Sequence, residues 1–495
     1  MVKCLLYCTQ FGPITISHMK RRSRCILKPF RLLCLLLNEL AVILLTAIIL
    51  LVLSPQGSPA ADLRIARAIL ELDPDDSETL DPQRVVKECS TILADAASLS
   101  DSLRIKLYLR RANALLALDN RKDARKDYEV VLRYRAGDPD IRCLIASTHK
   151  DSEIALKAIL EVIHENPKNG KAYVSAALEY GKQGNNALSL EYTSKAIQID
   201  NRLAEAYFVR AVTYSLKGDW ESCLSDVSRY ITLRPYSSFP NGEDPYVLKG
   251  NALYELDRPK EALQLFMLAS RLNPSSFEAT YGIWQCYFVL CKYHAAFQVT
   301  DKLLLLDTKR AESNSARIAS LAQTGKIRAA ITFGEDVANR LEKDKESLYW
   351  LAMAYSYDGK FSLSLESLNN VLALDKLHKA SLYQKAILLA MCPDDRIRNG
   401  QKAKEICGQL SKMSASKDAD VTMALAAACA ECQEFEEAVK LAKTVFALEL
   451  KGRYKIAQED RLKVWTKQLK SYESKKPVRL ELSNVKELSE QINDN

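Results

Sequence analysis

At 495 residues the chain exceeds what one hydrophobic core organises, so several domains or a repeat array are expected. A composition of 48% hydrophobic and 27% charged residues excludes a disordered polypeptide, and only 16 Gly and 15 Pro leave helix as the default element. The net charge of +8 does not make a nucleic-acid surface. Residues 1–61 hold seven basic side chains against Glu39, while the other 434 carry 63 basic and 61 acidic groups, too even a balance for a surface that releases counterions from phosphates.

The basic run (Lys3, Lys20, Arg21, Arg22, Arg24, Lys28, Arg31) leads into an apolar stretch whose uninterrupted part is Leu40–Leu53. That length suits the h-region of a signal peptide, and small Ser58 and Ala60 ahead of Ala61 match a cleavage site. Counted from Leu32, the same stretch reads as a retained transmembrane helix. Its many Leu, Ile and Val, each favourable by about 0.3–0.6 kcal/mol, outweigh the roughly 2.5–3.5 kcal/mol cost of Glu39. Either way the basic flank stays inside, and residues from 62 onward are exported to the periplasm or cell envelope, cleaved or held by a single-pass anchor. Burial of the stretch as a helix of the folded domain is the third alternative. Asp62–Asp73 and Pro82–Ala97 follow as two further helices, a degenerate repeat or cap within 62–104.

From there the sequence matches itself. A small residue that starts an apolar stripe recurs at Ala124, Ala155, Ser189, Cys223, Ala262, Ala296, Ala330, Ser364, Ala403 and Ala438. The intervals are 31, 34, 34, 39, 34, 34, 34, 39 and 35. In AEAYFVRAVTYSLKGDWESCLSDVSRYITLRP, Tyr207 takes a large slot, Ala211 a small one and Tyr214 an aromatic one; Gly218 and Asp219 make a turn, Cys223 is the second small slot and Pro235 a stop. Tyr246, Gly250, Leu253, Ala262, Phe266, Ala269 and Pro274 repeat the scheme, as do Leu348, Ala352, Tyr355, Gly359, Ser364, Leu368 and Val371. The i, i+4, i+7 spacing of Ala262, Phe266 and Ala269 puts one apolar stripe on one helix face. Gly184, Gly218, Gly325 and Gly359 stand where the chain reverses.

This pattern resembles the tetratricopeptide repeat, a helix–turn–helix unit of 34 residues. The resemblance covers about residues 105–450 and implies an all-α fold: a right-handed superhelical solenoid of about ten repeats with capping helices. The Cys392-Pro393-Asp394 loop before a final repeat is similar to C-terminal units of bacterial proteins of this family, of an exported or membrane-anchored type. Trp284 and Ile318 depart from the pattern by filling the close-approach slot with bulk, so wider helix pairs are expected there. Insertions fall at Ser238–Gly242 and Met391–Lys402. Tyr454–Ser474 reads as an amphipathic capping helix (domain 451–475), and 476–495 as a loosely ordered tail.

Five scattered His, no Gly-rich phosphate loop, no nucleophile elbow and no HExxH leave no catalytic, metal or cofactor constellation to name. Cys429-Ala-Glu-Cys432 ends a first helix, where packing competes with redox or zinc chemistry, and Cys392 with Cys407 is an alternative cross-link. The resemblance implies protein or peptide partners bound on a concave face lined by first helices. The outward slots there hold Phe208, Tyr254, Tyr281, Phe288, Tyr349, Tyr357 and Tyr383, which either form a peptide groove or pack between neighbouring helices. A Lys/Asn clamp for acidic C-termini is not among them, since only Asn113 and Asn251 occupy inner slots otherwise held by Leu, Val, Gln, Ala and Met. The expected function is a non-catalytic interaction scaffold. A structural subunit of an envelope or secretion complex is the alternative, and an accessory to an enzyme stands third.

Overall fold

Each 34-residue stretch carries two apolar stripes separated by helix-stopping residues, and the chain folds accordingly. The computed structural model describes residues 82–94, 99–234, 245–341, 344–413, 418–447 and 458–480. The basic and apolar segment 1–61, the expected helix Asp62–Asp73, the insertion Ser238–Gly242 and residues 481–495 lie outside the described residues. Among the described residues there are 22 helices and no strand. None of these helices is long and apolar enough to cross a membrane.

The chain divides between Ala114 and Leu115 into two compact units. In the first, α1 (Pro82–Ala94) packs Val85, Cys89 and Leu93 with Leu99 and with Leu107 and Ala114 of α2 (Asp101–Ala117). Arg111 donates to Ser90 Oγ at 3.1 Å across this pair. The second unit is an all-α helical repeat solenoid. It runs from α3 (Arg121–Tyr134) through α4 (Pro139–Ser147), α5 (Ser152–Glu165), α6 (Gly170–Lys182), α7 (Asn186–Ile199), α8 (Ala204–Leu216) and α9 (Trp220–Leu233). Next come α10 (Pro245–Glu255), α11 (Pro259–Leu272), α12 (Phe277–Val289), α13 (Tyr293–Leu306), α14 (Ala311–Gln323) and α15 (Ile327–Arg340). The array ends with α16 (Lys345–Tyr357), α17 (Phe361–Leu374), α18 (Lys379–Met391), α19 (Gly400–Met413), α20 (Ala419–Glu431), α21 (Phe435–Ala447) and then α22 (Gln458–Glu473). From α2 to α21, ten first helices alternate with ten second helices in the register of the recurring small slots. The short interval of 31 appears as α4, with nine residues against thirteen in α6.

The turn inside each repeat is set by one bond and one backbone conformation. The N–H that follows the left-handed residue reaches back to a carbonyl five residues earlier: Asn185 to Tyr180, Asp219 to Tyr214, Lys326 to Leu321 and Lys360 to Tyr355, at 2.9–3.0 Å. This is the Schellman closure, which satisfies a carbonyl the helix end would otherwise orphan. Gly184, Gly218, Gly325 and Gly359 hold the required positive φ of 74–77°. The same bond closes at Asn120–Leu115, Arg258–Leu253, Lys292–Tyr287 and Glu434–Cys429, with Asp119, Asp257, Cys291 and Gln433 in the left-handed region instead. Eight repeats therefore share one turn, although only four spell it with glycine.

Helices of a pair approach closely where small residues meet. Gly250 and Gly282 face the ring of Phe266 from two first helices, and a methyl on either would sit 2.7 or 2.6 Å from it. Where the first helix carries bulk, the second helix gives way. Trp284 packs with Ala296, in the helix whose Phe266-equivalent slot is the buried Thr300, and Ile318 lies opposite Gly334. A methyl on Gly334 would meet Leu351 Cδ1 at 2.9 Å and Ile318 Cδ1 at 3.5 Å. The bulk at Trp284 and Ile318 is thus paired with second helices that carry Thr300 and Gly334 at the slot Phe266 fills elsewhere.

The last repeat is covered by α22, whose Trp465 and Tyr472 enter the core of repeats nine and ten. Residues 476–480 do not trail off as the tail reading expects. Val478 and Leu480 pack against that core, and the Leu480 N–H donates to Met391 O at 2.9 Å.

The shared turn sets up a paired prediction. Gly218 has φ +74° and nothing within 4 Å of where a methyl would stand, so Gly218→Ala adds backbone strain alone and costs about 1 kcal/mol. Gln433→Gly relieves the same strain and raises stability by up to about 1 kcal/mol, both read from denaturant midpoints.

Candidate functional site

Phe277, Tyr281, Trp284 and Phe288 follow one another on α12 at spacings of four, three and four, which places them on one helix face. Their ring centroids lie 6.0, 5.4 and 5.1 Å apart in sequence order. Phe288 then meets Tyr293 of α13 at 5.3 Å and Trp350 of α16 at 5.5 Å, both edge-on. Trp350 adjoins Tyr349 at 5.4 Å, and Tyr349 meets the imidazole of His378 at 5.7 Å. The series crosses three consecutive first helices because the middle one sets only Ala316 and Ala319 beside the rings. Along α14 the chain supplies Ser313, Ser315, Ala316, Ala319 and Ser320, and rings from α12 and α16 touch past Ala316 and Ala319.

Two polar bonds fix the frame. Buried Trp284 donates its indole N–H to Ser320 Oγ at 2.9 Å, and Gln323 Nε2 donates to Tyr357 Oη at 3.2 Å. His378 caps α18 by accepting from Ser381 N, which leaves its Nε2 toward Glu346 Oε1 at 3.4 Å. Arg310 lies over the Phe277 ring at 3.8 Å from its centroid and donates to Glu278 Oε1 at 3.2 Å. Burial pushes the Tyr281 hydroxyl up to about 12, with Glu312 and Glu346 adding to the rise and Arg310 opposing it. Burial likewise raises Tyr349 and Tyr357. The face is therefore aromatic and partly buried, edged by Glu278, Glu312 and Glu346, with these three tyrosines protonated at neutral pH.

Of the seven residues nominated from sequence, Tyr281, Phe288 and Tyr349 fall in the ring series, while Tyr357 accepts from Gln323 of α14 outside it. Phe208 does not line a groove. It is 2% exposed and packs on Tyr230 at 5.0 Å, because α8 turns that position into the core of its own repeat. Tyr254 packs with the Phe266 cluster and Tyr383 with the core of repeats nine and ten. The sequence reading missed Phe277, Trp350 and His378. Their signal is the small-residue run of α14, which removes the bulk that would otherwise separate α12 from α16.

All nine described cysteines are free thiols, and Cys392 and Cys407 are both buried without a cross-link. Burial pushes Cys143, Cys223, Cys286 and Cys407 up to about 12 and Cys429 to about 11, which suits packing and not nucleophilic chemistry. Among the described residues no group of three or more His, Cys, Asp or Glu is placed to hold a metal ion.

A family model described as tetratricopeptide repeat matches residues 244–276, the α10–α11 repeat whose slots and turn recur through the array. That unit is a tetratricopeptide repeat, and the helical array around it repeats its slots and its turn. The chain is 29% identical over 134 residues to tetratricopeptide repeat protein 16 of Mus musculus, covering 25% of this chain and 18% of that protein. It is 25% identical over 325 residues to DnaJ homolog subfamily C member 3 of Gallus gallus, covering 59% and 63%. The chain thus spans less than two thirds of either relative. The crystal structure of yeast Tom70 is also similar, at 16% identity and a TM-score of 0.43, over 84% of this chain and 90% of that one. The repeat fold is generally an interaction scaffold for protein partners.

The raised Tyr281 has a pH consequence. Its folded value lies above the ordinary value of 10, so its contribution is intact below pH 10 and is lost as pH rises from 10 toward 12. Tyr281→Phe should flatten the loss of stability across that window, measured by denaturation at pH 9, 10.5 and 11.5.

Proposed function

We propose that this chain is a non-catalytic tetratricopeptide repeat scaffold that captures protein partners on the aromatic face of repeats six to eight. The observation that carries the reading is the unbroken ring series from Phe277 to His378, running over three first helices while Tyr281, Phe288, Trp350 and Tyr349 keep part of each ring in solvent. Rigid aromatic side chains give large contact area at little entropy cost, and the packing that holds them pre-organises the surface. We extend the proposal to location. The basic flank and apolar stretch of residues 1–61 act as an export signal or anchor, and the array works outside the cytoplasm. The near-neutral balance of all later residues supports this, because the basicity is confined to the segment that would stay inside.

A second reading, an assembly subunit that makes contacts through its edges, is favoured by one observation. Leu272, Leu305, Leu374 and Leu377 are 53%, 86%, 45% and 68% exposed at or just beyond the ends of second helices. The two readings separate in one experiment. Partners captured by the full chain and identified by mass spectrometry should fall at least about tenfold on Tyr281→Ala with Tyr349→Ala, at unchanged helicity. Capture that survives this double substitution and is lost on Leu305→Ser with Leu377→Ser would instead assign the contacts to the edge.

A further inference from the structure

The inserted loop of the ninth repeat, which the aromatic face does not use, builds a second site together with the end of α20. Arg398 of the loop donates from Nε to Glu431 Oε1 at 2.9 Å and from Nη1 to the carbonyls of Cys392 and Pro393, each at 2.9 Å. These bonds hold the loop closed and fix the orientation of a half-buried carboxylate. The other oxygen of Glu431 forms an ion pair at 2.7 Å with Arg479, which arrives from beyond the capping helix.

The chain after α22 turns at Lys475, with φ 54°, and runs back over the array. Leu480 donates its backbone N–H to Met391 O. Its side chain packs on the cluster of Phe361, Leu388 and Cys392, and Val478 and Leu480 both pack on the core of repeats nine and ten. The receptor thus offers a prearranged carboxylate, one backbone carbonyl and apolar ground on either side. Those are the elements that read an extended segment: main-chain bonding for affinity and flanking side chains for specificity.

We propose that this edge is a docking site for extended segments in which an arginine stands between two aliphatic residues. Val478-Arg479-Leu480 is its resident occupant, which an incoming segment must displace. The tethered copy competes at an effective concentration on the order of millimolar, so the site is closed to weak ligands and opens only to a partner that binds better or to release of the tail.

The test uses the full chain and a labelled peptide of residues 476–483, Lys-Pro-Val-Arg-Leu-Glu-Leu-Ser. Fluorescence anisotropy reports its binding to wild type and to the chain carrying Arg479→Ala with Leu480→Ala. The peptide should bind the released chain at least about tenfold more tightly than wild type. Adding Glu431→Gln to the released chain should remove about tenfold, and the same peptide with its arginine replaced by Ala should bind neither chain. A chain with Arg479→Ala alone keeps both apolar contacts, guards against loss of the cap, and should bind with intermediate affinity. Equal binding to wild type and released chain would overturn the proposal, as would no binding to either substituted chain at unchanged helicity; the segment would then be a structural strap alone.

Discussion

Everything in this molecule rests on how closely the two helices of a repeat can approach. Side chains at two slots decide it, one on each helix, and they must be small enough together for ridges to enter grooves. Phe266 shows the constraint at its tightest. The ring is fully buried between Gly250 and Gly282, and neither position leaves room for a methyl group. Truncating such a ring costs about 3–5 kcal/mol, and enlarging its neighbours forces overpacking of similar sign. With the approach fixed, the turn follows. One left-handed residue and one backward hydrogen bond close eight repeats, whether that residue is Gly, Asp, Cys or Gln.

Repeats six and seven satisfy the same constraint with the sizes exchanged, and the candidate site is the consequence. Trp284 and Ile318 take first-helix slots held elsewhere by small residues, and their second helices carry Thr300 and Gly334 where Phe266 stands in repeat five. Because α14 is lined by Ser and Ala, the rings of α12 continue past it to Trp350 and Tyr349. A local inversion of the packing code thus turns a run of core positions into a connected aromatic face. The polar bonds of Trp284 to Ser320 and Gln323 to Tyr357 keep that face in one arrangement.

Much of this was legible in the sequence. The period of 34, the small slots and the glycine turns specify helix, turn and register, since each is a local steric requirement read one residue at a time. Phe208 and Tyr281 occupy the same slot in their repeats, each fifteen residues before the small residue of the second helix, yet differ in fate. Phe208 lies on Tyr230 in the core, whereas Tyr281 stacks between Phe277 and Trp284 and stays partly exposed. That difference depends on which residues neighbouring helices omit, a pairwise property no single slot reveals. The left-handed Cys291 and Gln433 were hidden for a related reason, because the turn is enforced by the helix packing around it and not by their own preference. Likewise, the return of Arg479 to Glu431 joins residues far apart in the chain through an insertion that looks, in sequence, like an ordinary loop.

Recognition on the first helices of repeats six to eight is the central proposal. Its most direct test is hydrogen exchange of the full chain with and without a captured partner. Added protection within Phe277–Val289 and Lys345–Tyr357, with α13, α15 and α17 unchanged, is the predicted footprint. Protection concentrated instead on those second helices, with the ring-bearing segments exchanging as in the free chain, would contradict it.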